Sequence, residues 1–128
     1  MVPVPPQPTR AELAILRALW QLGPSTVRQV HESLRDTQDT GYTTVLKLLQ
    51  NMTEKGLVQR DESERTHVYK AALSQQRTQR DLLRDLMDRA FGGSAMSVVA
   101  QALSMKRASS EELAEIRKLL DAHESRGK

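Results

Sequence analysis

Apolar residues recur at three- and four-residue intervals in six stretches of the chain, and this spacing predicts amphipathic helices. Three of the stretches begin with a Ser/Thr-x-x-Glu/Gln capping box. In such a box the hydroxyl accepts a first-turn amide and the longer side chain reaches back to the cap. The boxes span residues 9–12, 26–29 and 109–112. The first helix should end at Gly23-Pro24, because proline cannot continue a helix after a glycine stop.

The third stretch, residues 41–56, has two chemically different sides. Val45, Leu48, Leu49 and Met52 share one side, and the other side is small, polar and nearly free of acids before Glu54. A solvated helix more often carries long, mixed charges, so this polar side favours a helix that lies in a DNA groove. The alternative, a face that is simply solvated, remains open on these residues alone. The members of the polar side are Thr43, Thr44, Lys47, Gln50 and Asn51.

Two short strands are predicted after this helix, over residues 57–60 and 66–70, with a polar turn between them. Three helices followed by a hairpin are the order of a winged helix-turn-helix, whose later helix enters the major groove. We assign this domain to residues 9–72 and a disordered, proline-rich leader to residues 1–8. The predicted fold class is mainly α with a small β-hairpin wing, followed by a C-terminal helical dimerisation region.

The C-terminal region is predicted to be helical over residues 73–124, with a frayed tail at 125–128. A charged helix over 74–91 ends at a Phe-Gly-Gly-Ser break, and a short apolar helix and a final helix follow. Their apolar stripes are too narrow for an independent core. Contiguous apolar surface usually marks an interface, so we expect these helices to pack on a second copy; folding back on the N-terminal part is the alternative. The candidate dimerisation residues are Leu82, Leu86, Phe91, Met96, Val98, Val99, Leu103, Leu113, Ile116 and Leu120.

Charge and composition narrow the function further. The net charge is only +3, and residues 1–70 carry nine Lys/Arg against eight Asp/Glu, so nucleic-acid binding must depend on local charge placement. The absence of cysteine excludes disulfides, thiolate metal sites and a cysteine nucleophile. We predict no cofactor and no enzyme, because no Gly-x-Ser-x-Gly elbow occurs and the three histidines lack metal-ligand spacing. His31 is interpreted as a partly buried or interfacial side chain.

The start of the chain lacks the charged and apolar regions of a signal peptide, and no apolar run approaches the roughly 20 residues of a membrane span. We therefore expect a cytoplasmic protein without membrane insertion.

A DNA-binding interpretation assigns roles to particular side chains. Asn51 can pair with adenine and Lys47 with guanine, and the methyl groups of Thr43, Thr44 or Leu46 can meet a thymine methyl. Leu46 is expected to lie off the buried stripe. Wing residues would lie near phosphate. The alternative is a winged-helix module that binds another protein. The candidate DNA-binding residues are Thr26, Arg28, Tyr42, Thr43, Thr44, Leu46, Lys47, Asn51, Arg60, Arg65 and His67.

The chain resembles the penicillinase-repressor family (BlaI/MecI type), which includes copper-responsive repressors. The resemblance covers roughly residues 9–122. The most specific parts are the Tyr-Thr-Thr-Val-Leu stretch at 42–46 and the Phe-Gly-Gly break at 91–93; residues 11–16, 19–20, 23–24, 26–30, 54–58, 68–69 and 110–120 also fit. It implies a dimeric winged-helix repressor that binds a palindromic operator of double-stranded DNA. It places Thr43, Thr44 and Lys47 near bases, and Tyr42 and Arg65 near the DNA backbone.

The same resemblance implies regulation by a membrane sensor with a cytoplasmic metalloprotease activity. Family members are cut in the short helix after the Gly-Gly break, at an Asn-Phe pair. The corresponding place here is Gln101-Ala102, which does not match that pair. The copper-sensing members use paired C-terminal cysteines, and the chain has none.

Overall fold

The computed structural model describes residues 7–37 and 39–127, so most of the predicted leader lies outside the described residues. The predicted fold, mainly α with a small β-hairpin, is confirmed, since six helices and one two-stranded antiparallel hairpin account for the described elements. The dimerisation role of the C-terminal helices stays a prediction. Both strands begin slightly later than predicted. The elements are α1 (Arg10–Leu22), α2 (Val27–Leu34), α3 (Tyr42–Lys55), β1 (Val58–Asp61), β2 (Val68–Ala71), α4 (Gln75–Ala90), α5 (Ala95–Met105) and α6 (Ser110–Arg126).

The chain divides into two compact units, Met1–Leu83 and Arg84–Lys128. The division lies within α4, and the functional boundary placed after residue 72 stays a prediction. The first unit holds the hydrophobic core, to which α1, α2, α3 and the hairpin all contribute. Its buried apolar side chains are Ile15, Leu16, Ala18, Leu19, Val27, Val30, Leu34, Val45, Leu49, Met52, Leu57, Val58 and Tyr69.

Both predicted capping boxes of the first unit are confirmed. The Thr9 hydroxyl accepts the Glu12 amide at 3.2 Å, and the Glu12 carboxylate accepts the Thr9 amide at 2.9 Å. Thr26 and Gln29 make the same pair of bonds at 3.2 and 2.9 Å. These bonds satisfy first-turn amides that have no partner within their own helix. They fix where α1 and α2 begin. The N-terminus of α2, which the second box fixes, is the end of that helix nearest the hairpin.

The hairpin is joined to the start of α2 by backbone hydrogen bonds. The Ser25 amide donates to the Tyr69 carbonyl at 2.9 Å, and the Tyr69 amide donates to the Ser25 carbonyl at 2.7 Å. Tyr69 is fully buried and lies opposite Arg60 in the hairpin. At the turn, the Asp61 carboxylate accepts the Ser63 amide at 2.9 Å, and this bond lowers the pKa of Asp61. The wing is therefore anchored beside α2 while its tip stays exposed.

A buried carboxylate joins the first turn of α1 to the last turn of α3. Glu12 is 2% exposed, and one of its oxygens lies 2.7 Å from the Lys55 ammonium nitrogen. Burial raises the pKa of Glu12, but hydrogen bonds from Lys55 and Thr9 outweigh it, so the net pKa lies below its ordinary value. Because the folded pKa is depressed, the carboxylate stabilises the fold above its unfolded pKa, and this stability is lost as pH falls through the folded pKa.

Replacing this carboxylate tests its contribution. Glu12→Gln is expected to lower the free energy of unfolding at neutral pH by about 1–3 kcal/mol, since a charge-assisted, buried pair is lost. The loss should shrink as the solution is acidified, because protonation removes the same interaction from the unmodified chain. Urea unfolding across that pH range measures it. Glu32→Gln, which removes the exposed partner of Arg28, is the control, and an equal effect of both substitutions would contradict the assignment.

The second unit contains the end of α4 with α5 and α6. Gly92 and Gly93 have φ angles of 57° and 81°, a left-handed backbone that ends α4, and the Gly93 amide donates to the Met87 carbonyl at 2.9 Å. Ser94 then caps α5 and Ser109 caps α6, each hydroxyl accepting an amide at 3.1 Å. None of the residues described in α5 and α6 is buried. Of the predicted dimerisation residues, Leu86, Met96, Val99, Leu103 and Leu120 are exposed in the single chain, whereas Leu82, Phe91, Val98, Leu113 and Ile116 are half-buried.

Candidate nucleic-acid interface

The two sides of α3 lie as the sequence pattern predicted. Val45, Leu49 and Met52 are completely buried in the core. Because helical residues three and four apart share a face, this burial turns the opposite side of α3 outward. The residues that are exposed there are Thr43, Thr44, Lys47, Gln50 and Asn51. The fold thus presents a short-chained polar surface with one cation near its middle.

The start of α3 differs from the starts of α1 and α2. Its N-cap is Gly41, which has no side chain to accept a first-turn amide. The first intrahelical bond is donated by the Val45 amide to the Gly41 carbonyl at 3.1 Å. An N-terminus without a capping side chain has backbone amides and a dipole that suit a phosphate oxygen. This end of α3 lies at the same surface as the wing.

A groove of about 310 Å³ joins the starts of α2 and α3 to the wing. It brings together six of the eleven predicted DNA-binding residues, which come from three separate parts of the chain. Arg28, Arg65 and His67 supply its basic side chains, and no acidic residue is among the described residues that line it. The six are Thr26, Arg28, Tyr42, Leu46, Arg65 and His67.

Tyr42 opens α3 and is supported from α2. Its ring meets the His31 ring edge-on, with the centroids 6.0 Å apart and the planes at 84°. Such edge-to-face pairs are favourable arrangements of aromatic rings. His31 is half-buried and Tyr42 is 47% exposed. His31 is therefore an interfacial side chain, as the sequence indicated, and it holds an exposed tyrosine at the rim of the groove.

Two predicted residues have different surroundings from those expected. Leu46 does not lie fully off the buried stripe, because it is half-buried and packs against the core as well as lining the groove. Arg60 is held within the wing. Its guanidinium pairs with Glu62, and hydrogen bonding to the Tyr69 side chain, with the nearby Glu62 charge, raises the pKa of Arg60. Arg60 lines a separate groove that includes Pro24 and Lys70.

Thr66 also lines the groove, although it was not among the candidates. It lies between Arg65 and His67, which were both predicted because they are in the wing, so the same reasoning could have included Thr66.

Within the part of the chain that the structure describes, no three His, Asp or Glu side chains come close enough to hold a metal ion. Among the described helices, none combines the length and apolar character that a bilayer crossing requires.

An exposed polar helix face beside a hairpin that contributes Arg65 and His67 to the same groove, on a three-helix core, defines a winged-helix protein of the DNA-binding class. The chain belongs to the penicillinase repressor family, whose family model matches residues 8–122. The predicted resemblance is therefore confirmed.

Two relatives illustrate the range of similarity. The transcriptional regulator BlaI of Mycobacterium tuberculosis (strain ATCC 25618 / H37Rv) is 44% identical over 59 residues, which are 45% of this chain and 43% of that protein. This match thus spans less than half of that relative's length. The penicillinase repressor of Bacillus licheniformis is 24% identical over 123 residues, 96% of either chain. These relatives are transcriptional regulators by name and not enzymes.

Solved structures support the fold. The Bacillus licheniformis BlaI monomeric form, determined in complex with the blaP half-operator, superposes with a TM-score of 0.50 at 22% identity, covering 56% of this chain and 88% of that chain. A MarR family protein from Bacillus stearothermophilus superposes with a TM-score of 0.50 at 20% identity, covering 99% of this chain and 78% of that one.

Proposed function

We propose that this chain is a homodimeric transcriptional repressor that binds a palindromic operator in double-stranded DNA. The observation that carries the proposal is the exposed face of α3, beside a groove whose charged side chains are basic. The BlaI relative that was solved with a half-operator supports the same partner for this chain. Since a DNA-binding regulator works where the DNA is, we also propose a cytoplasmic location.

In the proposed complex α3 lies in the major groove. Thr43, Thr44, Lys47 and Asn51 face base edges, where Lys pairs with guanine and Asn with adenine. Tyr42 and the basic groove residues contact the flanking phosphates, which position the protein without reading sequence. Arg60 contributes less, because Glu62 already neutralises its guanidinium.

The second unit supplies the proposed dimer interface. Leu86, Val99, Leu103 and Leu120 are each between 43% and 62% exposed in the single chain. An exposed apolar surface of this kind is stabilised when a second copy covers it. Two copies related by a twofold axis then present two α3 helices to two half-sites, which explains why the operator should be palindromic.

Salt dependence tests DNA binding against the alternative of a protein-binding module. Affinity for the promoter region of the chain's own gene should exceed affinity for random DNA and fall steeply as salt rises, by about 0.9 log unit per log salt for each phosphate neutralised. Titrations at several salt concentrations measure both quantities. Equal affinity for both DNAs with no salt dependence would contradict the proposal and favour a protein partner for α3.

Arg65→Ala is expected to weaken binding to promoter DNA and to random DNA by the same factor, because a phosphate contact carries no sequence information. The salt slope should also fall by about one unit per protomer. Arg107→Ala, which removes an equal charge from the second unit, serves as the control. If Arg65→Ala changed the preference at one base pair instead, its assigned phosphate role would be wrong.

We also propose that a sensor protease can inactivate the repressor by cutting at Gln101-Ala102. Both residues are exposed in α5. The Gln101 carbonyl, which belongs to the bond that would be cut, accepts a hydrogen bond from the Ser104 hydroxyl at 2.8 Å. Cleavage therefore requires local opening of α5, and a cut there would separate α6 from the rest of the proposed interface.

A further inference from the structure

The first unit has another groove, away from the wing. It measures about 500 Å³ and lies between α1, the end of α2 and the first residue of α4. This volume falls within the range of small-molecule sites, roughly 300–1,000 Å³. The groove shares no lining residue with the groove beside α3. DNA binding as proposed above therefore does not explain it.

The lining of this groove selects for a particular chemistry. Trp20 and Leu34 form an apolar wall, and Ser33, Thr37 and Gln75 provide neutral hydrogen-bonding groups. Arg17 is the charged residue among the described residues that line it. A half-buried indole favours a flat, apolar ring, and an exposed guanidinium pairs with a carboxylate through parallel hydrogen bonds.

We propose that this groove binds a small aromatic carboxylate, and that occupation of the groove changes DNA binding. The ring lies against Trp20, the carboxylate pairs with Arg17, and Gln75 closes the far side. The regulatory part of the proposal rests on the DNA-binding function proposed above.

The coupling passes through Trp20. Its indole Nε1–H donates to the Leu73 carbonyl at 3.0 Å, a bond between residues 53 positions apart in the chain. Leu73 lies two residues before Gln75, which is the first residue of α4. A ligand in this groove therefore touches both the indole that holds this junction and the first residue of α4. Because α4 leads into the proposed dimer helices, a shift at its start alters the separation of two winged-helix units, which must match the half-site spacing.

The chain has a single tryptophan, so its indole N–H is a specific probe. In ¹H–¹⁵N spectra of the full chain, 2-naphthoate should shift the Trp20 indole peak together with the Gln75 amide. Arg17→Gln should weaken this binding about tenfold, as expected for loss of a charge-assisted contact. Arg10→Gln, which removes the same charge from the start of α1, should leave it unchanged. The neutral isostere 2-naphthalenemethanol should bind the unmodified chain weakly, with about the affinity that 2-naphthoate has for Arg17→Gln.

An indole peak that stays fixed at millimolar 2-naphthoate would overturn the site, and equal binding of acid and alcohol would overturn the role of Arg17. The regulatory part is tested by mobility shift on promoter DNA. The DNA affinity should change at 2-naphthoate concentrations that fill the site in the unmodified chain, and not in Arg17→Gln. Unchanged DNA affinity with a filled site would overturn the coupling. If the chain bound no DNA at all, the proposed function would fail while the spectra still reported on the site.

Discussion

Replacing Val99 and Leu103 together with aspartate is expected to convert the proposed dimer to a monomer. Affinity for an operator with two half-sites should then fall on the order of a hundredfold or more, because the second half-site is no longer bound as an intramolecular event. The single-chain fold should tolerate the change. Val99 and Leu103 are 51% and 43% exposed there, so the aspartates meet water in the monomer and are buried only in a dimer.

The matched control is Ser97→Asp with Gln101→Asp. These residues are exposed, lie in the same helix and have the same four-residue spacing. The two double variants carry identical added charge, so any general repulsion from DNA affects both. Light scattering gives the oligomeric state, and mobility shifts on full and half operators give the affinities. A dimer that survives Val99→Asp/Leu103→Asp would mean that the exposed face of α5 has another role.

Replacing Lys47 with alanine is expected to weaken operator binding by about 1–3 kcal/mol per half-site and to relax the preference at one base pair. Lys47 is the cation on the outward side of α3, one turn beyond Thr44. The fold should be unaffected, since that side of the helix does not contribute to the buried core.

Lys106→Ala removes an equal charge from a residue just after α5 and is the control for a simple change in net charge. Competition binding with single-base operator variants measures the preference. If Lys47→Ala lowered affinity for random DNA by the same factor and left the preference intact, Lys47 would contact phosphate instead of a base. Unchanged operator affinity would remove it from the interface.

Local signals in the sequence predicted much of the fold. The capping boxes at Thr9 and Thr26 depend on residues three positions apart, and both formed as predicted. The outward side of α3 followed from helical periodicity because Val45, Leu49 and Met52 define the buried stripe. The strands were harder to delimit. Their turn has no Asn-Gly or Asp-Gly pair to set the register, and each strand begins one or two residues later than predicted.

Features that depend on distant residues were not predictable in the same way. Glu12 was recognised as a cap, but its bond to Lys55 joins residues 43 positions apart and nothing local signals it. Leu46 lies at the edge of the buried stripe, where spacing alone cannot say how closely the core approaches. The grouping of Arg28, Tyr42 and Arg65 in one groove depends on how α2, α3 and the wing meet.

Footprinting on the promoter of the chain's own gene shows directly whether the protein recognises an operator through α3. Two half-sites related by a twofold axis should be protected, with their centres about one helical turn or a whole number of turns apart. Protection should weaken in Lys47→Ala and at raised salt. The contrary result is a promoter without a protected site, even at protein concentrations high enough to bind random DNA. It would contradict the assignment of α3 as a helix that recognises a DNA sequence.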